Sequence, residues 1–212
     1  MIKKIRAEEK LSVSEIETII NGCVEFDTVA FEGVFRFEDT SKHFFMLGKN
    51  AVESLIMVTK PNLRLDFSKA KIFYDLKTLT CKTVFLTLYQ TARNVRIIGL
   101  DLQIRYIGEA TTHTLYGLYN FGHSLLVDRC NIEIYAEKQI NTAALANYGG
   151  IDTPLDTQAD NLSVNDSRIK IHIQPKESLL PCEVYGIHNY FANSIQISDT
   201  YIEVRNCGNG SD

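Results

Sequence analysis

A few groups of side chains in this chain have the types that chemistry on a sugar or an ion requires. Tyr119 and His188 carry rings that stack on sugars or, for the histidine, shuttle protons, and Asp128 and Asp199 follow them by about ten residues. Together they would form a sugar site. Taken one at a time they are a surface tyrosine, a surface histidine and aspartates at bends. Arg168 and Lys170 place two cations two residues apart, and His123 stands between Gly122 and Ser124. Asp152, Asp156 and Asp160 recur at four-residue intervals and, with backbone carbonyls, would bind Ca2+. EF-hand spacing is absent, so a plain acidic loop accounts for them equally well, and no other cofactor is expected. No CxxC or Cys/His cluster suggests a metal site.

The elements that position these residues come from one pattern that occurs five times. Asn62-Leu63-Arg64-Leu65 leads to Ser68, Ala70 and Ile72; Asn94-Val95-Arg96-Ile97 leads to Leu100, Leu102 and Ile104. Ser124-Leu125-Leu126-Val127, Asn161-Leu162-Ser163-Val164 and Ser194-Ile195-Gln196-Ile197 lead in the same way to Cys130, Ile132 and Ile134, to Ser167, Ile169 and Ile171, and to Thr200, Ile202 and Val204. The starts are 32, 30, 37 and 33 residues apart. Apolar residues alternate within each run, the two-residue period of a strand. Two residues separate the runs, so a bend keeps both facing inward; Asp128, Asn165-Asp166 and Ser198-Asp199 suit such bends.

A third run precedes most units. Leu115-Tyr116-Gly117-Leu118-Tyr119-Asn120-Phe121 matches Val184-Tyr185-Gly186-Ile187-His188-Asn189-Tyr190, and Thr142–Tyr148 is a weaker copy. Val84–Leu88 and Leu55–Val58 are earlier equivalents. Three short strands in ~30 residues predict an all-β chain, a right-handed parallel β-helix of about six coils. Asn120, Asn147 and Asn189 then stack at a turn, and the aromatic that follows each stacks inside. Tyr119, Ala146 and His188 occupy equivalent outward positions.

Residues 1–24 read as an N-terminal cap and residues 25–212 as the β-helix. Ser12 and Glu15 form a capping box, Leu11 and Ile16 a hydrophobic staple, and Val13, Ile16, Ile19 and Ile20 one apolar stripe ended by Gly22. A short helix there would cover an open sheet edge. The last residues, Arg205–Asp212, offer no matching pattern, which leaves a fragment, another subunit or another domain to cover that end.

Outward positions form columns spaced ~4.8 Å per coil. One holds Lys69, Asp101, Asn131, Arg168 and Tyr201; the next Lys71, Gln103, Glu133, Lys170 and Glu203; the third Phe73, Arg105, Tyr135, His172 and Arg205. Such a face would bind an extended anionic sugar chain, or be a solvated face whose charges offset one another.

Composition narrows the classes. The net charge is -4, and no basic run extends beyond Lys3, Lys4 and Arg6, so nucleic acid is not an expected partner. No stretch reaches the ~18 apolar residues of a membrane span. The basic start runs into Ala7-Glu8-Glu9-Lys10 without a hydrophobic segment, so no secretory signal is expected. The five cysteines are odd in number and widely spaced, as in chains made in a reducing cytoplasm, and Cys130 reads as a buried thiol.

The repeat, its Tyr-Gly-Ile-x-Asn strand and the opening Asp27-Thr28-Val29-x-Phe31-x-Gly33-x-Phe35 resemble the pectin-lyase-like parallel β-helix superfamily over roughly residues 10–206. That superfamily includes polysaccharide lyases, polygalacturonase-type hydrolases, epimerases and bacteriophage tailspikes. Gly122-His123-Ser124 and Arg168-Ile169-Lys170 are similar to two short motifs of the polygalacturonase-type hydrolases, where the histidine and the Arg-x-Lys pair help to bind substrate. The second glycine of the first motif is missing here. The two carboxylates that inverting hydrolysis places ~6.5–9.5 Å apart cannot be assembled from the sequence. The resemblance implies a tailspike-like, carbohydrate-interacting β-helix, assembled as a homotrimer into a phage particle or completed by a further C-terminal domain. Its substrate-binding candidates are Tyr119, His123, Asp128, Arg168, Lys170 and His188, with hydrolase or lyase activity open. The alternative is a non-catalytic structural, adhesion or assembly module of a larger fibre.

Overall fold

Alternating inward side chains leave each run's backbone to be paired by its neighbours, and the computed structural model pairs nearly all of them in parallel. It describes residues 1–38, 43–47, 50–148, 161–174, 182–190 and 194–206. Among the described residues the chain is all-β apart from one helix, α1 (Val13–Asn21), and a 3-10 turn at Ala7–Glu9. Strands β1 (Ile2–Arg6), β2 (Thr28–Phe37) and β5 (Arg64–Leu76) open the larger sheet. From β5 it continues in two branches, one through β7 (Arg93–Ile98), β10 (His123–Asp128), β13 (Leu162–Asn165) and β16 (Ile195–Ser198), the other through β8 (Asp101–Tyr106), β11 (Asn131–Ala136), β14 (Arg168–Ile173) and β17 (Tyr201–Asn206). The smaller sheet stacks β4 (Asn50–Val58), β6 (Lys82–Leu88), β9 (Thr114–Asn120), β12 (Asn141–Tyr148) and β15 (Val184–Tyr190), with β3 (His43–Leu47) antiparallel on β4.

Strands one repeat apart in sequence are neighbours in space. Ile132 lies beside Leu102 on one side and Ile169 on the other, and Ile134 beside Ile104 and Ile171. These inward residues are at most 1% exposed. Each such aliphatic side chain stabilises the fold by about 1.5–3 kcal/mol relative to leaving it in water. The third runs pair as expected: β4 with β6, β6 with β9, β9 with β12, and β12 with β15.

The Asn or Ser that opens four of the five units has a conformational cause. Asn62, Asn94, Ser124 and Asn161 all have φ between 53° and 57°, the left-handed region, which short polar side chains tolerate best. The bends repeat it at Gly99, Arg129, Asp166 and Asp199. Just past the bend, the corner side chain bonds the carbonyl two residues back. Cys130 Sγ donates to the Asp128 carbonyl (3.3 Å), Ser167 Oγ to Asn165 (2.7 Å) and Thr200 Oγ1 to Ser198 (2.8 Å). Burial pushes the Cys130 thiol up to about 11.

One stretch of register differs from the sequence expectation. Arg64 and Leu65 pair with Arg96 and Ile97, but Lys71 and Ile72 pair with Asp101 and Leu102. β5 therefore holds two more residues than the later units: Phe67 is buried and Ser68 is exposed, so Ala70, not Ser68, matches Leu100. Gly99 makes room for this detour. A Cβ on it would lie 2.8 Å from Ser68 Cα, and its φ is 65°.

At the N-terminal end α1 forms as expected, with Ser12 and Glu15 bonded reciprocally. It docks on β4 through polar side chains. Glu17 accepts the Met57 N–H, Asn21 Oδ1 accepts the Thr59 N–H (2.8 Å) and Asn21 Nδ2 donates to the Met57 carbonyl (2.9 Å). The helix thus satisfies strand-edge groups that would otherwise be open. The segment before it also adds a strand: Ile2–Arg6 pairs in parallel with Thr28–Glu32.

Candidate functional site

The larger sheet presents one broad outward face, and the two-residue offset in β5 fixes which residues share its columns. The first column runs Val34, Lys71, Asp101, Asn131, Arg168, Tyr201. The second runs Arg36, Phe73, Gln103, Glu133, Lys170, Glu203, and the third Asp75, Arg105, Tyr135, His172, Arg205. Lys69, Lys71 and Phe73 of the sequence reading each move by one column: Lys71 and Phe73 replace Lys69 and Lys71, and Asp75 takes the place of Phe73.

The second and third columns line an open groove of about 520 Å3. Its surface mixes rings with charges. Phe73, Tyr135 and His172 are half-buried there, with Arg36 and Arg105 exposed beside them. The Arg36 guanidinium lies 4.4 Å over the Phe73 ring, a cation–π contact, and among the described residues no hydrogen bond or ion pair takes up its N–H donors. Lys170 Nζ is 3.9 Å from Glu133 Oε1, Arg105 is 3.3 Å from Glu137, and the Tyr135 hydroxyl donates to Gln174 Oε1 (3.3 Å). The first column is more fully internally paired. Lys71 meets Asp101 at 3.6 Å, Asn131 Nδ2 donates to Asp101 Oδ1 (3.0 Å), and Arg168 lies 5.4 Å over Tyr201. Planar guanidinium forks and ring faces are the groups that hold carboxylate-bearing sugars.

Of the six sequence candidates, Lys170 alone lines this groove. Arg168 is one column away, on Tyr201. Asp128 ends β10 with its carboxylate on Arg129 (3.0 Å), and His123 begins the same strand opposite Arg93. Tyr119 and His188 do share a column of the smaller sheet, flanking Ala146. Asp128 belongs to the other sheet, so the supposed Tyr–His–Asp group is not one site.

Tyr119 is also not at the surface. It is 1% exposed, stacked on Tyr116 at 5.4 Å, with Tyr148 at 6.0 Å and Lys82 Nζ 5.4 Å above its ring. Burial raises its phenol far above the ordinary range, and its hydroxyl has no partner among the described residues. The rings expected to stack in the main core stack here instead, outside the smaller sheet: Phe121 on Tyr148 (6.2 Å) and Tyr148 on Tyr190 (5.1 Å). The preceding asparagines form a ladder side chain to side chain. Asn120 Nδ2 donates to Asn147 Oδ1 (2.7 Å), and Asn147 Nδ2 to Asn189 Oδ1 (2.8 Å). His188 stacks on Tyr185 at 4.5 Å, and desolvation lowers its pKa despite the opposing charge of Glu183.

Asp152, Asp156 and Asp160 lie outside the described residues, as do residues 207–212. Among the described residues no cluster of His, Cys, Asp and Glu could hold a metal ion, and no helix is long and apolar enough to cross a membrane. The groove residues Arg36 and Asp75 were missed by sequence reasoning. A count of buried residues along β5 carries the signal, because Phe67 is one apolar residue too many for the repeat. No family model, curated protein or solved structure matches this chain.

Proposed function

We propose that this chain is a right-handed parallel β-helix that binds an extended acidic polysaccharide along the outward face of its larger sheet. Parallel pairing between units about 30 residues apart supports the β-helix. The resemblance to pectin-lyase-like proteins and tailspikes agrees with a glycan ligand. The observation that carries the reading is the groove. Phe73, Tyr135 and His172 offer ring faces on β5, β11 and β14, with Arg105 on β8 between the first two, and Arg36, exposed and held among the described residues by the Phe73 ring, offers its guanidinium to a ligand. A polymer running across the strands would meet one ring or cation every ~4.8 Å. Glu133 is engaged by Lys170 at 3.9 Å, and the reading assigns the groove binding and no proton transfer.

Native gels cast with alginate or polygalacturonate, beside gels with neutral dextran, test this. The expected result is retardation by the acidic polymers alone, weakened by added salt and lost in the Arg36→Ala/Tyr135→Ala double variant. Equal mobility in every gel would overturn the proposal. So would retardation that the double variant retains.

A further inference from the structure

The last described tier leaves its inward side chains open. Ile195, Ile197, Ile202 and Val204 are 38%, 46%, 41% and 41% exposed, while their counterparts Leu162, Val164, Ile169 and Ile171 are at most 1% exposed. β15, β16 and β17 are also the final strands of their sheets among the described residues. This face therefore combines aliphatic side chains with three strand edges, which a β-structured partner would pair. The opposite end is closed: α1 buries Val13, Ile16 and Ile20 there and bonds the β4 backbone. A head-to-tail stack of copies would have to displace that helix. An open end can meet a second open end without doing so.

We propose that the open end is an isologous dimer interface, in which β17 of one copy pairs antiparallel with β17 of a second copy about a two-fold axis near Val204. The charge pattern is self-complementary under that axis. Antiparallel pairing centred on residue 204 sets Glu203 opposite Arg205 of the second copy, and Arg205 opposite its Glu203. Within one chain these two side chains already form an ion pair, so each has a partner to exchange. Val204 then faces Val204 on the inward side, closing the apolar end. Opposite charges directly across a strand pair stabilise it, and like charges do the reverse.

Sedimentation velocity on the full chain across a wide concentration range tests the assignment. The wild type should be a dimer. Val204→Glu, at a site exposed in the free chain, should be a folded monomer by circular dichroism. Glu203→Arg and Arg205→Glu should each weaken the dimer at least tenfold, because one variant presents two cations and the other two carboxylates. An equimolar mixture of these two variants should recover dimers. A wild-type monomer, a trimer, a dimer indifferent to Val204→Glu, or failure of the mixture to recover would each overturn the proposal.

Discussion

Lys82 brings an ammonium group to within 5.3–5.5 Å of the rings of Tyr116, Tyr119 and Tyr148. Burial lowers its pKa. An ammonium with a lowered folded pKa binds fewer protons folded than unfolded. Its contribution to stability therefore rises with pH, from below the folded pKa up to the ordinary lysine range. A cation–π contact is worth about 0.5–2 kcal/mol, against a desolvation penalty of several kcal/mol for a fully buried ion. Lys82 is half-buried, so the two nearly offset. Lys82→Met should accordingly melt at or above the wild type at neutral pH; a fall of more than about 5 °C, roughly 2 kcal/mol for a domain of this size, would show that the cation holds the cluster. Cys130 gives a second check. A thiol raised to about 11 and 3% exposed should resist iodoacetamide at pH 8 in the native chain and react once it is unfolded. Native-state alkylation as fast as that of the half-buried Cys182 would contradict its placement.

At the scale of elements, the asparagine ladder ties three strands of the smaller sheet through side chains. Asn147 is its centre, 0% exposed, and Asn120 beside it is equally buried. Asn147→Leu would leave the Asn120 donor and the Asn189 acceptor without their partners, at about 1–3 kcal/mol for a buried group. Urea unfolding should show a stability loss of that size, seen as a lower midpoint with an unchanged slope; an unchanged midpoint would mean the ladder adds nothing. Ile169→Asp tests the larger sheet, since an unpaired carboxylate in the core should unfold the chain. The strands themselves were legible because inward alternation repeats in every unit. The β5 offset was not, because Ser68 and Ala70 are both small and either fits a corner position by type alone. β1 was hidden because Ile2-Lys3-Lys4-Ile5-Arg6 resembles a basic leader, and its pairing with β2 is made across more than twenty residues of intervening chain.

For the whole molecule, what the sequence lacked was the outer surroundings of each sheet. Alternation tells which side chains point away from the core. It does not tell which of them another part of the chain then covers. Tyr119 and His188 share an outward column, yet one is sealed within an aromatic cluster and the other is only half-buried. The groove residues are equally outward and remain open because nothing in the described chain crosses the second and third columns. The two faces therefore make opposite claims on a glycan, and hydroxyl-radical footprinting read by mass spectrometry separates them most directly. On addition of alginate or polygalacturonate, the account predicts that oxidation of Phe73, Tyr135 and His172 falls several-fold while Tyr185, His188 and Tyr190 react as before. Unchanged oxidation at the three groove rings, with protection of the rings on β15, would contradict it.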